Sequence, residues 1–308
     1  MKLLITGACG HIGSYLVDQI YKIKKIKEVL LIDNFNAQRY STLFNLKQGK
    51  KTSFYNIDLS KTKLKNFKKA DYVIHCASHT NAQGSFSIKK EMYRNNLLCM
   101  KNIISYCKNN KAKLIHISST SVYGKQVKIV DEDDEKLLKP QSPYAEIKLI
   151  EEKLLKRERK KLKYISFRFG TIAGVSTGMR FHTAINKFCL NASLNEKIQI
   201  YETAFNQYRP YLSLKDAFKV FKFCIEKNVF NNDVYNALSG NFTVKEILKI
   251  IKKYKKKIKV QFVKTKIMNQ LSYHVDDKKL KKLGLILNYK IEKDIKETLN
   301  LFKSLTYK

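Results

Sequence analysis

The sequence predicts an α/β fold, a doubly wound parallel sheet joined to a smaller C-terminal α/β lobe. Three observations carry that expectation. Short β-type runs alternate with amphipathic stretches through the first half of the chain, a rhythm that calls for right-handed crossovers and helices on both faces of a parallel sheet. A glycine turn follows the first run directly and opens the first helical stretch. After about residue 174 the rhythm changes, with helices separated by shorter apolar runs.

The expected strands of the first part are 3–6, 29–33, 53–56, 72–75, 114–118 and 164–167. Each is a short run rich in Leu, Ile, Val or aromatic residues, the composition of a strand buried on both faces. Helical spacing of apolar residues predicts helices over 11–24, 87–108 and 143–161. In the second part, helices are expected over 180–192, 214–227, 243–254 and 292–301, with strands near 198–201, 234–237 and 258–263. No Gly/Ser/Pro-rich linker divides the chain, and no internal repeat is present. The expected division is a dinucleotide-binding part, 1–174, and a substrate lobe, 175–308, with room for the lobe to interleave with the sheet. Ligands of such sheets bind outside the carboxyl ends of the strands, where that lobe would cover them.

Composition narrows the class. With 308 residues, 44% hydrophobic and 11% aromatic, the chain can bury a substantial core and is neither disordered nor fibrous. No apolar run approaches the ~18 residues of a membrane helix, and Met1–Gly10 reads as a strand entering a turn, which gives no secretory signal and predicts a cytoplasmic protein. Six cysteines stand apart, with no Cys-x-x-Cys spacing; neither a zinc site nor a disulfide framework is expected.

The turn Gly7-Ala8-Cys9-Gly10-His11-Ile12-Gly13 has the spacing G-x-x-G-x-x-G. Glycines there permit a tight turn and a close approach of backbone to a pyrophosphate, and the helix N-terminus adds N–H donors and a positive dipole. Asp33 ends the second strand, about twenty residues on, where a carboxylate accepts hydrogen bonds from an adenosine ribose and favours NAD over NADP. Asp58, after the third strand, reads equally as an adenine contact or as a solvated turn residue.

Tyr144 and Lys148 lie four apart in Pro143-Tyr144-Ala145-Glu146-Ile147-Lys148, so one helix face carries both. A phenol is a poor base near neutral pH; an adjacent ammonium stabilises phenolate, and lowering its pKa by about 3 units takes roughly 4 kcal/mol. Upstream, Ser118-Ser119-Thr120-Ser121-Val122-Tyr123-Gly124 places hydroxyls at the carboxyl end of a strand, where one can bind a reacting substrate oxygen.

In this order, the glycine turn, Asp33, Ser-Ser-x-x-Val-Tyr-Gly and Pro-Tyr-x-x-x-Lys resemble the extended short-chain dehydrogenase/reductase superfamily. Within it the chain looks like the NAD-dependent epimerases and dehydratases of sugar nucleotides, of the UDP-glucose 4-epimerase-like type, and the resemblance implies a Rossmann-like sheet. His75-Cys76-Ala77-Ser78, Asn95-Asn96, Arg209-Pro210-Tyr211-Leu212 before Asp216, and Tyr235-Asn236-Ala237 extend the resemblance over nearly the whole chain.

The resemblance implies that Tyr144 is the acid/base, that Lys148 lowers its pKa and holds the nicotinamide ribose, and that Ser119 binds the reacting hydroxyl. NAD is the implied cofactor, with Gly7, Gly10, Gly13, Asp33, Asp58, Ala77, Asn96, Tyr144 and Lys148 around it. Arg209 is expected on the substrate diphosphate through bidentate contacts, Arg180 is a second candidate there, and His79 is expected near the substrate. In the implied cycle the sugar 4-OH is oxidised, the 4-keto sugar turns over, and hydride returns to its other face with no net redox change. Dehydratases of this family carry Asp-Glu before Val-Tyr-Gly; Thr120-Ser121 stand here instead, which argues against loss of water. The leading reading is a sugar-nucleotide 4-epimerase. A net 4-dehydrogenase or 4-ketoreductase would use the same residues, and a non-catalytic RNA-binding relative is the reading from another class. A homodimer through the helices at 87–108 and 143–161 is expected by analogy.

The 61 basic residues against 26 acidic give a formal charge of +35. Only residues 39, 94, 157, 159, 168, 180 and 209 are arginine. Lysines fall on nearly every predicted helix without aromatic interleaving, the pattern of a solvated surface more than of a nucleic-acid face. No specific nucleic-acid or membrane partner is expected, although such a field draws in anionic nucleotide sugars at low salt.

Overall fold

Apolar side chains alternate toward both faces of the short strands, and the strands pair accordingly. The computed structural model describes residues 1–44, 46, 50–80, 84–126, 129–264 and 273–305. In chain order the strands are β1 (Lys2–Thr6), β2 (Glu28–Asp33), β3 (Lys51–Asn56), β4 (Tyr72–His75), β5 (Lys113–Ser119), β6 (Ile129–Val130), β7 (Tyr164–Phe169), β8 (Thr171–Ala173), β9 (Lys197–Tyr201), β10 (Tyr208–Ser213), β11 (Val234–Ala237), β12 (Gly240–Thr243), β13 (Lys259–Val263) and β14 (His274–Val275). The helices are α1 (His11–Gln19), α2 (Lys89–Asn110), α3 (Pro143–Glu158), α4 (Ala184–Ser193), α5 (Leu214–Lys227), α6 (Val244–Tyr254), α7 (Lys278–Lys282) and α8 (Ile291–Leu301).

Among the described residues seven strands form a parallel sheet in the order β11-β7-β5-β4-β1-β2-β3. Ile5 lies opposite Leu31 on one side and Ile74 on the other. Leu3, Ile5, Val29 and Leu31 bury one face against Leu16 of α1 and Val220 and Phe221 of α5. Leu4, Leu30, Val73 and Leu114 bury the other against Met100 and Ile103 of α2 and Leu155 of α3. Strand order reverses at β1, which lies between β2 and β4, so the crevice at their carboxyl ends is the natural ligand site.

A second core joins Ile185 and Phe188 of α4, Ile198 of β9, Tyr211 of β10, Ile247 of α6 and Ile295 of α8. Strand β10 pairs in parallel with β8 and antiparallel with β12. The doubly wound sheet matches the expected fold class, with local differences. The strand expected near 234–237 in the smaller lobe is β11, at the edge of the main sheet beside β7. The helix expected over 11–24 stops at Gln19 and continues as a 3₁₀ turn, because Ile20, Ile23 and Ile26 all turn into the core at a spacing of three. The helix expected over 180–192 begins only at Ala184; the preceding loop lies against the glycine turn instead. Among the described residues no helix is long and apolar enough to cross a membrane.

Candidate active site

The turn after β1 is shaped by what cannot fit there. Gly7 has φ +68°, in the left-handed region, and a Cβ on it would lie 2.6 Å from the Ala77 nitrogen. A Cβ on Gly13 would lie 2.1 Å from the Gly7 carbonyl oxygen. Gly10 is the N-cap of α1, whose first turn carries no acidic residue, so no carboxylate competes for the helix N-terminus. Gly178, from the loop before α4, is stacked on this turn. Its amide donates to Ser14 Oγ at 2.9 Å, and a Cβ there would lie 2.4 Å from the Cys9 carbonyl oxygen.

Asp33 ends β2 beside the turn. Its Oδ2 accepts the Cys9 amide at 2.9 Å and its Oδ1 the Phe35 amide at 2.9 Å, which fixes the carboxylate toward a cavity of about 240 Å³. Asp58 and Ala77 line the same cavity. Asp58 accepts both the amide and the hydroxyl of Ser60, at 2.9 and 2.7 Å; burial pushes its carboxyl up, and these bonds together with Lys61 more than reverse it.

Two expected residues sit elsewhere. Asn96 is absent from the described cavity walls, because its side chain accepts the His79 amide at 2.8 Å and donates to the His79 carbonyl at 3.1 Å. It pins the loop after β4, and its neighbour Asn95 is the one in the wall. His79, expected near the substrate, lines the Asp33 cavity and not the larger one that holds Tyr144.

That larger cavity, about 350 Å³, shares Gly7, Gly10, Arg39, Cys76, Ser78 and Thr80 with the first. Ser119, Tyr144, Lys148, Arg180 and Arg209 all line it. Ser142 accepts the Ala145 amide at 3.2 Å and Pro143 follows it, a strong helix start, so Tyr144 is held in the first turn of α3. The Lys148 ammonium lies 5.9 Å from the centre of the Tyr144 ring. Ser119 ends β5, where Ser121 donates its amide and its hydroxyl to Ser119 Oγ at 3.2 and 2.9 Å. Ser118 instead donates to Glu152. Thr120, in the position of the dehydratase carboxylate pair, donates to the Phe169 carbonyl at 3.3 Å. No Asp or Glu is among the described residues lining this cavity.

Beneath it Lys148 Nζ donates to Glu151 Oε2 at 2.8 Å, and the same oxygen is 2.9 Å from His116 Nε2. Arg180 donates to Thr80 Oγ1, and burial lowers its pKa. His182, in the same wall, is pushed down to about 4 by burial and then by Arg180 and Arg39, so it is uncharged near neutral pH.

The sequence reading missed Arg39, Thr80, Tyr201 and Tyr273 in these walls. One signal could have found Arg39. In a chain that places lysine on its surface, three of the seven arginines line the cavity and a fourth, Arg168, is buried. Arginine is kept where a planar, permanently charged fork is needed.

A model described as the NAD-dependent epimerase/dehydratase family matches residues 3–237. The trifunctional UDP-glucose 4,6-dehydratase/UDP-4-keto-6-deoxy-D-glucose 3,5-epimerase/UDP-4-keto-L-rhamnose-reductase of Arabidopsis thaliana is 26% identical over 318 residues, covering 98% of this chain and 47% of that protein. The chain spans about half the length of the first curated relatives it matches. The structure of UDP-N-acetylglucosamine 4-epimerase from Methanobrevibacter ruminantium M1, in complex with UDP-N-acetylmuramic acid, matches with a TM-score of 0.84 and 26% identity over 98% of each chain. UDP-glucuronic acid 4-epimerase from Bacillus cereus, in complex with UDP-glucuronic acid and NAD, matches with a TM-score of 0.85 and 25% identity, over 99% of this chain and 100% of that one.

Proposed function

The chain belongs to the NAD-dependent epimerase/dehydratase family, and from that premise we propose that it is a sugar-nucleotide 4-epimerase with Tyr144 as its acid/base. The observation that carries the reading is one cavity lined by Ser119, Tyr144, Lys148, Arg180 and Arg209 and by no described carboxylate. A dehydratase needs an acid there to expel water; an epimerase does not.

The residues fit NAD. Gly7 and Gly13 let the turn close tightly on the backbone of Cys76 and Ala77 and on itself, the α1 N-terminus faces the cavity through Gly10, Ile12 and Gly13 where a pyrophosphate would bind, and the fixed Asp33 carboxylate offers acceptors to ribose hydroxyls. Asp58 and Ala77 would border the adenine, and Lys148 the nicotinamide ribose. When bound, the nicotinamide supplies the hydride exchange that no side chain can perform.

The chain's own residues handle the proton and the hold. Ser119 Oγ, already accepting from Ser121, donates its own proton to the sugar 4-oxygen. Tyr144 Oη takes the 4-OH proton and later returns it, with the Lys148 ammonium stabilising the phenolate between the two events. Arg209 and Arg180 grip the diphosphate, so that the keto sugar turns while its nucleotide stays anchored. Residues 1–174 carry the dinucleotide and 175–308 the substrate in this reading. A homodimer through α2 and α3 completes it, to be tested by light scattering across a salt series.

Purified protein incubated with UDP-, GDP-, dTDP- and CDP-sugars is expected to interconvert one pair of C4 epimers with no net rise at 340 nm. Stoichiometric reduced cofactor, or a released keto sugar, would instead establish a net dehydrogenase.

A further inference from the structure

We propose that Glu151, braced by His116, is a positioning residue that holds the Lys148 ammonium under Tyr144 and keeps it charged. The inference rests on the roles assigned above to Tyr144 and Lys148 and adds the element that makes a buried lysine usable.

Lys148 is 4% exposed and Glu151 1%. They lie three residues apart on α3, so one helix face carries both, and their contact is 2.8 Å. The oxygen that accepts from Lys148 also accepts from His116 Nε2 on β5, and His116 Nδ1 is 2.8 Å from Ser166 Oγ on β7. Two strands of the sheet therefore fix the carboxylate, and the carboxylate fixes the ammonium.

An ammonium alone at this depth gives up its proton, and a neutral amine does nothing for the phenolate. Burial pulls Lys148 down, but the Glu151 charge, Tyr144 and the hydrogen bond raise it above its ordinary value. Burial likewise pushes the Glu151 carboxyl up, and Lys148 and His116 outweigh this and hold it at about 2. The other groups facing the pair are Tyr144 on α3, His75 and Cys76 at the end of β4, and Cys99 on α2. Burial holds His75 at about 3 and pushes both thiols up to about 12, so none of these three titrates between pH 5 and 10. The carboxylate screens part of the field that Lys148 exerts on the phenol; in exchange that field persists across the working range.

The test compares Glu151→Gln, which keeps the shape and removes the charge, with Glu151→Asp, which keeps the charge. The Lys148 ¹³Cε resonance, assigned by its loss in Lys148→Arg, is titrated in the cofactor-loaded protein without sugar, alongside the pH profile of sugar conversion. The Gln variant is expected to release the Lys148 proton at least about a hundredfold more readily and to lose activity along that same alkaline limb. The Asp variant is expected to stay within about tenfold of the parent. A Gln variant with an unmoved Lys148 titration, or with activity reduced equally at every pH, overturns the proposal. If Glu151→Gln does not fold, His116→Gln takes its place, with the same limb expected to move by about tenfold and an unmoved limb counting against. Failure of the parent protein to convert any nucleotide sugar would refute the 4-epimerase reading while leaving the lysine titration to decide this one.

Discussion

Replacing Arg168 with methionine is expected to lower stability by about 3–5 kcal/mol, the cost of breaking a buried ion pair. Arg168 is 3% exposed. Its Nε and Nη2 donate to the two oxygens of Glu152 at 3.0 and 2.8 Å, and its Nη1 donates to Tyr123 Oη at 2.8 Å. Tyr123 donates onward to Asn236, and Ser118 donates to Glu152. Methionine fills much of the same volume and restores none of the donors, so Glu152 is left as a buried carboxylate with a serine hydroxyl. At roughly 2.1 cal/mol/K per residue the unfolding entropy of the 308-residue chain is roughly 0.65 kcal/mol/K, and Tm should fall by about 5–8 °C. Urea unfolding followed by circular dichroism gives the free energy, and calorimetry gives Tm. Because the loss comes from an orphaned charge, Arg168→Met/Glu152→Met should recover at least half of it. A single variant within about 1 kcal/mol of the parent, or a double variant that is worse than the single, would show that Glu152 is not left as a costly orphaned charge.

Three further outcomes follow from the same geometry. Tyr144→Phe should retain dinucleotide binding by calorimetry while kcat falls about 10²–10⁴-fold; full activity would remove Tyr144 from the mechanism. Gly13→Ala drives a Cβ to within 2.1 Å of the Gly7 carbonyl oxygen and 2.9 Å of the Ala8 Cα, both backbone atoms, so the soluble variant should lose at least about tenfold in NAD affinity, and an unchanged affinity would show that the turn yields. Asp294 is fully buried in α8 with Lys215 3.5 Å away, and burial above all pushes its carboxyl up to about 7. The unfolded chain releases that proton near pH 4 and the folded one near pH 7, so the folded state binds the extra proton between them and stability declines as pH rises through that window, by at most roughly 4 kcal/mol. Asp294→Asn removes this term, so its stability relative to the parent should rise from pH 4 to pH 8; a flat difference would contradict the assignment.

The sheet was legible because β1, β2, β4, β5 and β7 bury both faces, which leaves unbroken apolar runs such as Val29-Leu30-Leu31-Ile32. β8, β10 and β12 were not. β8 is three residues long and follows β7 across the single Gly170, while β10 contains Arg209-Pro210 and reads as a break. The site was legible where residue spacing carries the geometry, as for the glycines, Asp33, and Tyr144 with Lys148. It was not where the geometry comes from contacts distant in sequence. Asn96 holds His79 across 17 residues and His116 reaches Glu151 across 35, and Gly178 meets Ser14 across 164. Arg39 enters the cavity from a loop that no local pattern aims. The net charge, prominent in composition, has little part in the site beyond those few arginines and Lys148.

The proposed cycle oxidises one carbon, C4, and reduces it again in the same site while Tyr144 moves the proton. It is tested most directly by converting a C4-deuterated nucleotide sugar in H₂O, and the unlabelled sugar in D₂O, and reading both products by NMR. The epimer is expected to keep its label at C4 in the first case and to gain no carbon-bound deuterium in the second. Loss of the C4 label to solvent, or deuterium appearing at C3, C5 or C6, would contradict it.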